Sequence, residues 1–162
     1  MSVNVSNRSN VVNQTKYNAD LKFGLRSEGE VQQRLIDHFK QDVKKFKNYY
    51  SVFDYYITNQ NGKISDIIEV KSRRNDSKKY DTQLIGMNKV NKGKKELKKG
   101  VKVWFVFNLT DGLYKLELNE EHQFKEVMCG NFARNDKASK LALIPNEYLS
   151  KIELIDKGTI VF

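Results

Sequence analysis

The sequence predicts an α/β protein with a mixed central sheet flanked by helices, and three observations carry that prediction. A capped helix precedes a strand hairpin; a lysine-rich amphipathic helix follows it; and the run V-K-V-W-F-V-F at residues 101–107 has the composition of a strand buried on both faces.

The elements follow in order. Residues 1–18 are rich in Asn and Ser, hold no period and read as a mobile arm, leaving 19–162 as a single domain, which suits a chain of 162 residues that is 39% hydrophobic. Ser27 and Glu30 make an S-x-x-E capping box, and Val31, Leu35 and Phe39 recur every four residues, which predicts a helix from Ser27 to about Lys47. Strands at 50–58 and 63–71 are joined by N-Q-N-G, whose Asn61 and Gly62 tolerate the positive φ of a tight turn. Asp81 is placed to cap a second helix running to about Lys99, with Leu84, Met87 or Asn88, and Leu97 turned inward, and Gly100 as its stop. After the buried run, Asp111-Gly112 turns the chain into a strand at 113–118. A short strand is expected at 140–144, with Pro145, the only proline, opening a further helix.

Composition narrows the function classes. No stretch of about 18 apolar residues exists, and the N-terminus lacks the apolar core of a signal peptide, so neither membrane insertion nor secretion is indicated and an intracellular protein is expected. Cys129, the sole cysteine, excludes an internal disulfide and a thiolate metal cluster. His38 and His122 have no partner at metal-ligand or triad spacing and read as surface or packing residues. The net charge of +9 is concentrated: from Lys71 to Lys102 there are twelve bases against three acids, an excess equal to that of the whole chain. A localised polyanion-binding face needs such a distribution, which a solvated lysine-rich helix also explains.

Five acid-x-Lys triplets occur, at Asp20, Asp42, Glu69, Asp76 and Glu96. Asp42 and Glu96 fall on predicted helices, where i and i+2 do not share a face, and Asp20 and Asp76 fall in loops. Only Glu69 and Lys71 end a strand, D-I-I-E-V-K, where the period of two points both to one side. The preceding strand carries Asp54 among Phe53, Tyr55 and Ile57, an unfavourable position for an aspartate. A cation shared with Glu69, or an ion pair with Lys71 or the lysine-rich loop, explains it. Two carboxylates beside a lysine meet the needs of magnesium-dependent phosphodiester cleavage, which takes hard oxygen ligands and a group that positions water.

The run G-L-R-S-E with Gly24 and Glu28, followed by F-D-Y-Y-I-T-N-Q-N-G-K-I-S-D-I-I-E-V-K-S from Phe53 to Ser72, resembles the PD-(D/E)XK nuclease superfamily, most closely its archaeal Holliday-junction resolvase branch, over residues 22–107. The resemblance implies a restriction-endonuclease-like core in which Asp54 and Glu69 bind metal, the carbonyl of Val70 adds a ligand, and Lys71 orients water and steadies the phosphate. It assigns Glu28 as the helix acid, by its spacing from Gly24. Glu30 competes for that role but has a structural use in the capping box. The proline that names the motif is absent, Phe53 standing before Asp54. Asp66 faces away from Glu69 and reads as a surface residue. Gln83 is a candidate accessory residue on the following helix, or an exposed helix position.

The function implied is a magnesium-dependent DNA endonuclease, with Mn2+ able to substitute, acting as a homodimer on branched DNA such as four-way junctions. Arg73, Arg74, Lys78, Lys79, Lys89, Lys92, Lys94 and Lys95 are the expected phosphate contacts. Tyr49, Tyr50, Tyr55 and Tyr56 suit base stacking or, more simply, a half-buried hairpin, and Arg134, Lys137 and Lys140 form a second basic cluster that reads as a solvated loop. The alternatives are a restriction-type or mobile-element nuclease reading sequence through its C-terminal third, and a non-catalytic nucleic-acid-binding module.

Overall fold

In the computed structural model, which describes residues 25–48, 52–129 and 139–153, the chain runs through α1 (Glu28–Phe39), β1 (Lys44–Lys45), β2 (Tyr55–Thr58), β3 (Ile64–Ser72), β4 (Thr82–Gly86), α2 (Met87–Leu97), β5 (Lys102–Leu109), β6 (Gly112–Glu117), β7 (Lys125–Cys129), β8 (Ser139–Pro145), a 3-10 turn (Asn146–Tyr148) and β9 (Ser150–Lys151). The expectations for residues 1–18, Gly24, Tyr49, Tyr50, Arg134 and Lys137 lie outside the described residues.

The buried run at 101–107 becomes β5, the strand that joins the halves of the main sheet. It pairs parallel with β3 and antiparallel with β6, in a six-stranded mixed sheet ordered β1-β2-β3-β5-β6-β9. Its alternate residues feed two cores. Val103, Phe105, Phe107 and Leu109 face a core shared with Ile67, Val90, Ile85, Ala142 and Ile144, whereas Val106 faces one shared with Val31, Leu35, Tyr55 and Ile68. Helix α1 therefore covers one face; α2 and a second sheet, ordered β4-β8-β7, cover the other. This is the mixed α/β, restriction-endonuclease-like architecture that the sequence predicts.

Several boundaries differ. α1 stops at Phe39 rather than near Lys47: Lys40 takes φ 55° and its N–H bonds to the Ile36 carbonyl, which turns the chain so that Val43 is buried and Lys44–Lys45 pairs with Tyr55 and Tyr56. Ser27 caps the Glu30 amide as expected, but the Glu30 carboxylate turns to Arg34 instead of closing the box. The largest difference lies after the basic loop. Thr82–Gly86 is a strand, paired along its length with β8, because T-Q-L-I-G alternates and buries Gln83 and Ile85. Asp81 is exposed and caps no helix; α2 starts at Met87, with Gly86 at its N-cap and Val90 and Gly93 as its buried residues. Leu84 consequently belongs to β4, and Pro145 ends β8, followed by only a single 3-10 turn. Asp66 is also not a surface residue: it is 9% exposed and accepts hydrogen bonds from Trp104 Nε1 at 2.8 Å and Ser65 Oγ at 2.6 Å.

Two polar networks fix the C-terminal end of β3 and the loop that follows it. Asn108, fully buried, receives the Arg26 guanidinium and donates to the Arg26 carbonyl and Ser72 Oγ, tying the approach to α1 to the C-terminal ends of β3 and β5. The basic loop after β3 is anchored through Ser77, whose hydroxyl and amide donate to Asp111 at 2.5 and 3.0 Å, and through Asn146, which donates to the Ser77 and Tyr80 carbonyls. Burial alone pushes the Asp111 carboxyl upward, but the bonds from Ser77 and Tyr114 outweigh it and hold it below its usual range.

Gly93 lets α2 lie against the end of the sheet: a Cβ there would stand 2.8 Å from Leu118 Cδ2 and 3.1 Å from Val103 Cγ1. Gly93→Val should destabilise the protein by about 1–3 kcal/mol through overpacking, measured by urea denaturation, despite the better helix propensity of valine. An unchanged midpoint would mean that α2 is not held this closely.

Candidate active site

At the C-terminal half of β3 the ladder with β2 runs out, and the side chain of Asp54 takes its place. The Asp54 N–H bonds to the Ile68 carbonyl at 3.1 Å, and Asp54 Oδ2 accepts the N–H of Val70 at 2.8 Å. An aspartate among apolar neighbours thus has a structural reason to be there, distinct from the ion pair with Lys71 considered from the sequence. Its other oxygen is not used in that bond.

Strand period places Glu69 and Lys71 on one face of β3, opposite Phe105 and Phe107 of β5. Glu69 is 2% exposed, yet its carboxylate is held between two ammonium groups, with Lys71 Nζ 3.3 Å from Oε1 and Lys89 Nζ 3.3 Å from Oε2. Burial, followed by repulsion from Asp54, raises the Glu69 carboxyl above its usual range, and Lys89 and Lys71 offset only part of that. Asp54, Glu69 and Lys71 are thereby brought together, as their sequence pattern implies.

Of that group, Glu28 shares a cavity with Asp54 alone. It is exposed at the start of α1, pairs with Lys45, and lines a cavity of about 320 Å³ together with Asp54, Tyr55, Val70 and Ser72. The fields of Glu28 and Asp54 converge on Tyr55, whose hydroxyl is pushed up to about 12, first by burial and then by these two acids. Glu30 points to Arg34 instead. Glu28 is therefore the acid of α1 that shares a cavity with Asp54.

The basic residues divide into three groups. Arg73, Arg74, Lys78 and Lys79 lie on the anchored loop directly after β3, and Lys79 stands over the Tyr80 ring. Lys92 and Lys95 are exposed on α2, while Lys94 donates to the His122 carbonyl. Lys89 departs from expectation: only 19% of its side chain is exposed, and its ammonium is turned inward to Glu69 and the Val52 carbonyl. The helical stripe of Val90 and Gly93 is the signal that finds it, since Lys89 lies four residues before Gly93. Gln83 is on β4 rather than a helix, is 3% exposed, and donates to Asn146 at 3.3 Å, so it supports the loop anchor. Lys140 is exposed on β8, near Glu126.

The raised carboxyl of Glu69 gives a sign that is testable without any reaction. Between the ordinary carboxylate value and the raised one, the folded protein binds this proton more tightly than the unfolded chain does, so the Glu69 contribution is full at low pH and is lost as pH rises through that window. Without divalent ions, Glu69→Gln should remove this slope and be at least as stable as the parent at neutral pH, as read by urea denaturation across a pH series. A parent clearly more stable than the variant at neutral pH would show that the lysines outweigh burial. Asp54→Ala, which leaves the part-buried Val70 amide without its acceptor, should cost about 1–3 kcal/mol, whereas Asp54→Asn keeps an acceptor and should cost less.

A family model described as phage putative PDDEXK endonuclease matches residues 14–147, extending well beyond the segment that carries the motif. No curated protein and no solved structure matches the chain. The match spans far more than half of the 162 residues, and Asp54, which immediately precedes β2 rather than lying on a strand as the sequence suggests, lies inside it with Glu69 and Lys71 of β3. The chain belongs to the phage PDDEXK endonuclease family.

Proposed function

We propose that this nuclease hydrolyses DNA phosphodiester bonds at the group formed by Asp54, Glu69 and Lys71, using Mg2+, for which Mn2+ substitutes. The observation that carries the reading is the convergence of two carboxylates and a lysine at the end of one buried strand, with Glu69 drawn below the surface despite its charge. The donor set suits a hard cation. Asp54 and Glu69 offer carboxylate oxygens, and their mutual repulsion is a cost that a cation between them relieves. Among the described residues no group of three or more His, Cys, Asp or Glu side chains gathers to hold a metal ion, so Asp54 and Glu69 would not complete a ligand set by themselves, and the Val70 carbonyl, water and a phosphate oxygen would have to supply the remaining positions. When bound, the cation supplies charge to the phosphate and lowers the pKa of water.

The chain's own groups do the rest. Lys71, one third exposed, is near enough to Glu69 to be held in place and open enough to meet solvent, so it orients the attacking water and steadies the phosphate. Glu28 adds negative charge on the cavity side, where it helps to hold the cation or its water. Arg73, Arg74, Lys78, Lys79, Lys92 and Lys95 neutralise backbone phosphates without reading bases, which favours the shape of DNA over its sequence. Branched duplex, including four-way junctions, is the proposed substrate. Two cuts related by symmetry require two sites, so a homodimer is the proposed active form. One observation favours the restriction-type alternative: β7 is an exposed edge strand throughout, on a sheet outside the main one, and offers a surface for reading a groove.

Lys71→Ala should lower the cleavage rate about 10²–10³-fold while leaving DNA affinity within a few fold. Asp54→Asn and Glu69→Gln should abolish cleavage in Mg2+ but, with binding measured without divalent ions, keep or slightly tighten DNA affinity, since both remove negative charge. Glu28→Gln should harm the rate far more than Glu30→Gln; the reverse order would transfer the role to Glu30. Wild-type turnover by the Lys71 variant would remove that residue from the reaction.

Substrate choice is tested by gel shift on matched junction and linear duplex across a salt series. Both affinities should fall with a slope of roughly 0.9 per phosphate neutralised, with the junction preferred at every salt concentration. Equal affinities, or preference for one duplex sequence, would reject the junction reading in favour of the restriction-type one.

A further inference from the structure

The reading of Asp54 and Glu69 as metal ligands leaves Lys89 unexplained. Its position is well defined: it extends from the first turn of α2, its ammonium lies 3.3 Å from Glu69 Oε2 and donates to the Val52 carbonyl, and the Phe53 ring lies 6.0 Å away. A lysine used only to contact DNA would have no reason to be this buried. Its charge has a clear local effect. Asp54 and Glu69 carry two negative charges, Lys71 and Lys89 two positive ones, so the group is already balanced. A divalent cation entering alone would leave it with two surplus positive charges and would compete with Lys89 for the same carboxylate. A DNA phosphate arriving with the cation relieves both problems, because it adds negative charge and gives the displaced ammonium a new partner.

We propose that Lys89 is a built-in counter-cation, which holds Glu69 in the metal-free protein and transfers to a DNA phosphate when the divalent ion enters, so that metal and DNA bind cooperatively. The consequence is an enzyme that takes up metal weakly by itself and strongly on its substrate. Coupling of this kind is reciprocal: whatever factor DNA adds to metal affinity, metal adds to DNA affinity. Lys89 acts here as a positioning residue, through Glu69, rather than on the reacting atoms.

The test is Mn2+ binding, followed by the paramagnetic resonance of the free ion, with and without a phosphorothioate duplex that resists cleavage. In the wild-type protein DNA should tighten Mn2+ binding. In Lys89→Gln, which keeps a donor for the Val52 carbonyl, Mn2+ alone should bind about tenfold more tightly, the low end of what one opposite charge at this distance is worth, and the gain from DNA should shrink by a similar factor. Lys89→Arg should behave as wild type. Unchanged or weaker Mn2+ binding by Lys89→Gln, or undiminished coupling, would overturn the proposal.

Glu69→Gln separates this failure from that of the underlying reading. If it leaves Mn2+ affinity unchanged, the ligand assignment falls, and this proposal with it; if it weakens binding while Lys89→Gln has no effect, only the role of Lys89 falls. The wild-type protein offers a second measurement that needs no folded variant. Lys89 should resist amine acetylation when metal-free, become reactive in Mn2+, and be protected again when DNA is added, as read by mass spectrometry. Equal reactivity in all three states would also overturn the proposal.

Discussion

A carboxylate with 2% exposure, tolerated because two ammonium groups face it, is the interaction around which this structure is arranged. An unpaired charge at that depth would be costly, and the contacts that bring Lys71 and Lys89 to Glu69 offset part of that cost. Lys71 comes with the strand, two residues on. Lys89 comes only if α2 packs where it does, and α2 is set there by the close contact of Gly93 with Leu118 and Val103. The register of β3 on β5, Glu69 beside Phe105 and Lys71 beside Phe107, then fixes the depth of the carboxylate in the apolar layer.

Asp54 makes that arrangement less comfortable rather than more. Its oxygen completes the β3 ladder at Val70, but its charge adds to the burial that raises Glu69. A purely structural design has cheaper ways to satisfy one amide. Like charges held together by a surrounding framework are a common mark of sites that perform chemistry, and the clamps at Asn108 and Asp111 supply the framework here. They join the N-terminal approach to α1, the ends of β3 and β5, and the basic loop into one edge, on which the proposed chemistry and DNA contacts lie side by side.

Much of this was legible in the residues. The strands β2, β3, β5 and β6 follow from alternation, β-branched and aromatic content and two turn signals, and once β3 is a strand, Glu69 and Lys71 must share a face. Selecting that triplet from five needed only its context. β4 was not legible: T-Q-L-I-G is five residues long, follows a polar loop and joins directly to a true helix, so its period is too short to oppose the helical reading, and only the partner β8, some sixty residues on, decides it. The early end of α1 has a similar cause, since burying Val43 and pairing β1 with β2 are tertiary gains. Lys89 was hidden by its many lysine neighbours; placing the helix start at Met87 instead of Asp81 is what turns it inward.

The central claim is that one cation is held between Asp54 and the Glu69–Val70 segment. Replacing Mg2+ with Fe2+ in the presence of ascorbate and peroxide generates hydroxyl radicals at the bound ion, which cut the protein backbone nearby. Mapping the fragments by mass spectrometry should give cuts clustered around residue 54 and residues 69–70, suppressed by excess Mg2+ and lost in Glu69→Gln. Cuts concentrated elsewhere, or a pattern unaffected by either Mg2+ or the substitution, would contradict the account.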